Sequence, residues 1–207
     1  MFIAAAALTT VLSCQKNTLS SVENLENTAW AWAYNYSECI LVFGPDGKVY
    51  DLVSLQGVSN GAVGTYVYSN PSVLINIGED SLTGTLSSDG KTMVVISESV
   101  SMTYSRHSSS LSSMSGTTWK QTGITGASIS LSFTSGTDFT ATQSIIGSTG
   151  VVSKTDDGLC SYSNPVLVLE TEGDDVSIDA VGIVSYDGSN MLLYNESGSN
   201  TISFGKE

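Results

Sequence analysis

Four aromatic residues, Trp30, Trp32, Tyr34 and Tyr36, occupy alternate positions of the stretch TAWAWAYNY. Side chains two apart on an extended chain point the same way, so the four share one face if the strand carries no bulge. Such a face either fills a core or stacks against a flat apolar or aromatic ligand. Other residues with chemical potential are sparse. His107 is the sole histidine and lies in the serine-rich stretch RHSSSLSSMSG, with no carboxylate or nucleophile at a fixed spacing, so a Ser-His-Asp arrangement lacks its parts. Cys160 sits in GLCSYS, which is not a Gly-x-Ser-x-Gly elbow, and no glycine-rich phosphate loop follows a strand. Glu170, Glu172, Asp174, Asp175 and Asp179 crowd the segment ETEGDDVSID without calcium-loop spacing, and a solvated hairpin tip is expected there. No enzyme, metal or cofactor is expected from this inventory.

The elements that must position the aromatic face repeat along the chain. YSNPSVLI at 68–75 returns as YSNPVLVL at 162–169, and GTLSSDGKTMVVISES at 84–99 returns as GIVSYDGSNMLLYNES at 182–197. NTAW ending at Trp30 matches GTTW ending at Trp119, and the lead-in pair Val22 and Leu25 matches Leu111 and Met114. Repetition of this kind is the mark of tandem units, with the extra residues of the second copy entering at loops. Trp30 therefore has a counterpart in Trp119, which a core role explains. Trp32, Tyr34 and Tyr36 have none, because the second copy reads TTWKQTGITG and places Gln121 and Gly123 at the corresponding same-face positions.

Within each copy, runs of five to eight residues with alternating polarity are bounded by turn signals such as Pro45-Asp46-Gly47, Asn70-Pro71 and Asp89-Gly90. No sustained helical period appears, so the connections are antiparallel hairpins. The expected fold is all-β: two tandem small antiparallel meander barrels, since closure removes the edges of such a meander. A single barrel built from both halves is the rival. Val22/Leu25 and Leu111/Met114, each spaced by three, suggest a short helical turn capping each barrel.

Residues 2–12, FIAAAALTTVL, form an uncharged apolar run of signal-peptide length, too short to span a bilayer, and VLSCQK follows it. This segment resembles the bacterial lipobox, which implies export and lipidation of Cys14. The expected organisation is then 1–14 signal peptide and lipobox, 15–21 tether, 22–106 first β domain, 107–110 linker and 111–206 second β domain. With Cys14 lipidated, Cys39 and Cys160 remain either as two separate buried thiols or as one disulfide in an oxidising compartment. Only 7 Lys and Arg stand against 20 Asp and Glu, a net charge of −13 that repels nucleic-acid phosphates.

An apolar turn, a Gly-Thr-Thr-Trp opening the first strand and a basic residue in the last strand together resemble the calycin superfamily of lipocalin-like domains. The resemblance implies that the first-strand tryptophan closes one barrel end beneath a cation, pairing Trp30 with Arg106 and Trp119 with Lys206. The expectation is a monomeric, outer-membrane-anchored lipoprotein of the cell envelope, on its periplasmic face, acting as a non-catalytic binding module. Its ligand would be a small apolar or aromatic molecule at Trp32, Tyr34 and Tyr36. The alternative is a structural module that contacts an envelope protein.

Overall fold

The computed structural model describes residues 20–34, 37–55, 58–98, 100–121, 126–148 and 150–207. Cys14, Tyr36 and the expected signal and tether segments through residue 19 lie outside the described residues. The first barrel runs β1 (Thr28–Tyr34), β2 (Ser37–Phe43), a 3-10 turn (Pro45–Gly47), β3 (Lys48–Leu55), β4 (Val58–Ser69), β5 (Ser72–Ile77), β6 (Asp80–Leu86), β7 (Thr92–Ser97) and β8 (Val100–Arg106). The second runs β9 (Thr118–Gln121), β10 (Ala127–Phe133), β11 (Asp138–Gly147), β12 (Gly150–Ser163), β13 (Val166–Thr171), β14 (Asp179–Val184), β15 (Asn190–Asn195) and β16 (Asn200–Lys206). Each set pairs in sequence order and closes, β1 on β8 and β9 on β16, so the chain is two eight-stranded antiparallel barrels in tandem. A barrel of eight strands has an interior just wide enough to be filled by side chains.

No helical turn forms at the lead-in pairs. Residues 20–27 and 109–117 run instead as irregular straps across one end of each barrel, and the repeated YSNP motif is what binds them. Asn70 accepts from the Ser20 amide at 2.7 Å and donates to the Ser20 and Val22 carbonyls at 2.9 and 3.0 Å, while the Tyr68 hydroxyl donates to the Val22 carbonyl at 2.7 Å. Asn164 and Tyr162 make the same set of bonds to Ser109 and Leu111. With its polar backbone satisfied by side chains and by the following turns (Ser21 N to the Ser88 carbonyl, Ser110 N to the Tyr186 carbonyl), the strap has no need of helical bonds. The straps press Val22 and Leu25, and Met114, into the barrel cores. Ser109 and Ser110 bond the second barrel as part of its strap, and the His107 amide bonds the Ala29 carbonyl.

Each strap ends in a turn that reverses into the first strand. Asn27 and Gly116 both hold positive φ, 59° and 75°, and their amides bond the Phe43 and Phe133 carbonyls. Asparagine and glycine are the residues that enter this region at least cost, which explains why asparagine replaces glycine here in the first copy. Asn27→Gly should leave the urea midpoint nearly unchanged, whereas Asn27→Ala should cost about 1 kcal/mol. Equal midpoints for the two variants would contradict a backbone origin.

The barrels lie side by side through a third apolar core. Ala29, Ile40, Val42, Tyr50 and Leu52 on the outer face of β1–β3 meet Val166, Val181, Ile183 and Tyr194 of β13–β15. At its edge Lys48 pairs with Glu196 at 2.7 Å, and the Tyr50 hydroxyl donates to the same carboxylate. Burial works to raise the Glu196 pKa, and the bonds from Lys48 and Tyr50 outweigh it, holding the carboxyl below the ordinary range. The barrels also approach closely at Gly61, where a Cβ would stand 2.8 Å from both Tyr194 and Thr201 of the other barrel.

Candidate functional site

Burial grades along the first barrel. At the strap end of the first, Trp30, Leu41, Phe43, Val49, Val73, Leu86 and Met93 are buried. Toward the other end, which we term the mouth, the inward residues Trp32, Cys39, Asp51, Val53, Ile77, Leu82 and Met102 are only partly so. Trp32 and Cys39 are cross-strand partners and pack on the same apolar cluster as Trp30. Tyr34 continues β1 opposite Ser37; its side chain, like the whole of Tyr36, lies outside what is described. Of the three candidate ligand residues, Trp32 is therefore the one placed on the interior wall.

The closure residues fall at the seams. Arg106 is the Cα partner of Trp30, and its guanidinium carbon lies 6.0 Å from the centroid of the indole ring, within the range of a cation–π contact. Lys206 is the Cα partner of Trp119 in the same way. Both indoles are fully buried and donate to a threonine hydroxyl, Trp30 to Thr28 at 3.0 Å and Trp119 to Thr117 at 2.8 Å.

Among the described residues, one connection sets the two mouths apart. Between β13 and β14 the segment 172–178 folds back, and Val176 and Ile178 join the core of the second barrel. Its acids Glu172, Asp174 and Asp175 stay exposed to solvent as expected, Asp175 pairing with Lys154 at 2.8 Å, while Asp156 of β12 accepts from the Val176 amide at 2.5 Å and ties the segment down. The segment needs this because its two buried aliphatic residues carry it inward as a plug. The matching β5–β6 connection in the first barrel is the two-residue turn Gly78-Glu79, too short to send a side chain inside.

Asp51 is the residue that inspection of the sequence misses. On β3 the side chains of Tyr50 and Leu52 enter the core between barrels and Val49 enters the first barrel, so alternation turns Asp51 inward. Burial alone pushes its carboxyl above the usual aspartate range. It lies close enough to act on two other polar groups of the interior: burial raises the Cys39 thiol, with Asp51 and Glu38 adding to it, and burial raises the Tyr104 hydroxyl, with Asp51 and Cys39 adding. Cys39 and Cys160 are both free thiols, one in each barrel, and the raised value keeps Cys39 protonated and unreactive at neutral pH. A signal for Asp51 existed: in KVYDLVSL it stands two residues from each of two valines, an acid in an otherwise apolar inward series.

A groove of about 590 Å³ opens between the barrels. Ile40, Ile183, Leu192 and Phe204 contribute its apolar part, and His107, whose Nε2 lies 3.2 Å from the Val184 carbonyl, stands in its wall. Among the described residues no group of three His, Cys, Asp or Glu is placed to hold a metal ion, and no helix is long and apolar enough to cross a membrane.

No protein-family model matches the chain, and no curated protein sequence matches it. Among solved structures it is similar to the DnaN sliding clamp (DNA polymerase III subunit beta) from Pseudomonas aeruginosa bound to griselimycin, at 8% identity and a TM-score of 0.16, covering 90% of this chain and 58% of that one. It is similar at the same level to the Helicobacter pylori beta clamp bound to a DNA ligase peptide, at 8% identity and a TM-score of 0.16, covering 92% and 60%. The chain thus spans less than two thirds of the length of these clamps, and a TM-score this low carries no functional argument.

Proposed function

We propose that the chain is a non-catalytic binding module of the bacterial cell envelope, held at a membrane through lipidated Cys14, which takes a small ligand into the mouth of its first barrel. One observation carries the reading: the second barrel closes its mouth with Val176 and Ile178, while the first has a two-residue turn at that place and leaves Trp32, Cys39, Asp51 and Met102 partly exposed. Duplicated barrels have no packing reason to differ in this way, and an interior that none of the described residues plugs, faced with aromatic and apolar side chains, is the form a small-molecule site takes.

A screen of small aromatic and apolar compounds against the purified chain, followed by tryptophan emission, tests it. Binders should lose at least tenfold in affinity in Trp32→Ala and keep it in Lys206→Ala, since Lys206 lies on the other barrel. Binders indifferent to Trp32, or a screen without a binder, would defeat the reading. The groove between the barrels favours a second reading, a docking surface for an envelope protein. Cross-linking from Tyr186, which is 74% exposed at the groove, separates the two: a protein adduct there with no small-molecule binding supports the second.

A further inference from the structure

Asp51 presents a problem that the rest of the first barrel does not solve. Its side chain turns into the interior beside its cross-strand partner Leu41, in a barrel whose apolar cluster includes Tyr104, Trp32 and Met102, and makes no hydrogen bond or ion pair with any of the described residues. The described cations of the first barrel are committed elsewhere. Lys48 is on the outer surface with Glu196, Arg106 lies over Trp30 at the strap end, and Lys91 is in the exposed turn beside the strap. The polar groups acting at its position are the Cys39 thiol from β2 and the Tyr104 hydroxyl from β8, both neutral. An ionised carboxylate half out of water with no counter-charge destabilises the fold that holds it, and a hydrophobic or amide residue would serve packing better.

We propose that this carboxylate is the recognition group for a small organic cation: an amine or quaternary ammonium whose charge sits against Asp51 and whose carbon frame lies on the face of Trp32. A carboxylate beside aromatic faces is the arrangement that binds such ions, through charge-assisted hydrogen bonding on one side and the ring quadrupole on the other. The proposal rests on the reading of the mouth as a ligand site and specifies what that site selects.

The purified chain is titrated by calorimetry with phenethylamine, tetramethylammonium, neutral 2-phenylethanol and anionic 3-phenylpropionate. At least one of the two cations binds at least tenfold more tightly than 2-phenylethanol, and 3-phenylpropionate does not bind. Asp51→Asn removes that preference and raises the melting temperature, because the amide is cheaper to bury than the charge; Trp32→Phe retains the preference with weaker affinity. The gain in thermal stability guards against reading a misfolded variant as lost binding. If 2-phenylethanol binds as well as the amines, the pocket stands and the cation proposal falls. If none of the four binds, both fall. An Asp51→Asn variant with an unchanged or lower melting temperature also overturns the proposal, since Asp51 would then have a partner within the chain.

Discussion

Trp119→Ala should lower the stability of the protein by about 3–5 kcal/mol, the range for truncating a fully buried large aromatic side chain. Trp119 has no exposed surface and sits where β9 meets both β10 and β16, so its indole fills the strap end of the second barrel from the seam. Its loss also removes the donor that orients Thr117, whose hydroxyl in turn bonds the Met114 carbonyl and holds the strap. Cavity and strap act at one place, so the cost belongs at the upper part of the range. Urea unfolding measures it, with Lys206→Ala as the comparison. Lys206 is exposed and should change stability by less than about 0.5 kcal/mol. A Trp119→Ala cost below about 1.5 kcal/mol would mean that the strap collapses to fill the space.

The other large effect is expected where the barrels meet. Val181→Asp places a charge in the apolar core shared by Tyr50, Leu52 and Tyr194, at a position that is 3% exposed in the wild type. The uncompensated charge should cost about 3–5 kcal/mol. Its form is more informative than its size, because the side chain points away from the interior of both barrels. The wild-type chain should unfold in one calorimetric transition and the variant in two, as each barrel loses the neighbour that covers its outer face. Acid should loosen the same junction. The Glu196 carboxyl titrates below its ordinary value of 4.5, so its contribution is present above that value and is lost as pH falls through the lowered one. One transition retained in Val181→Asp would show that strap and seam contacts suffice to couple the barrels.

The fold was legible because its punctuation repeats. The turn signals at Pro45-Asp46-Gly47, Asn70-Pro71 and Asp89-Gly90, and the matched YSNP and Asp-Gly motifs, set the strand count and the tandem arrangement. The function of YSNP was not legible, because its asparagine acts on a strap fifty residues away in sequence, and nothing local in the motif points there. The core between the barrels left a mark that simple alternation conceals. CILVF is apolar on both faces, and such runs signal burial on both sides; Leu41 and Phe43 turn into the barrel, Ile40 and Val42 toward its neighbour. In the candidate site Trp32 was visible as the aromatic without a counterpart. Asp51 was hidden because a single acid in a strand reads as a surface residue until the other face of that strand is known to be covered.

The clamp of Asn70 on residues 20–22 also determines how tension would travel. Any pull on the chain ahead of Ser20 reaches the first barrel through the strap, where Asn70 grips the backbone from both its donor and acceptor groups and Tyr68 adds a third hold. Those bonds lie side by side on one short segment, so they share the load and pass it to the β4–β5 end of the sheet, and β1 is pulled directly only once they part. The weakest link under force is then the strap and not the barrel wall, and its release would strip Val22 and Leu25 from the closed end while the mouth, at the opposite end, kept its shape.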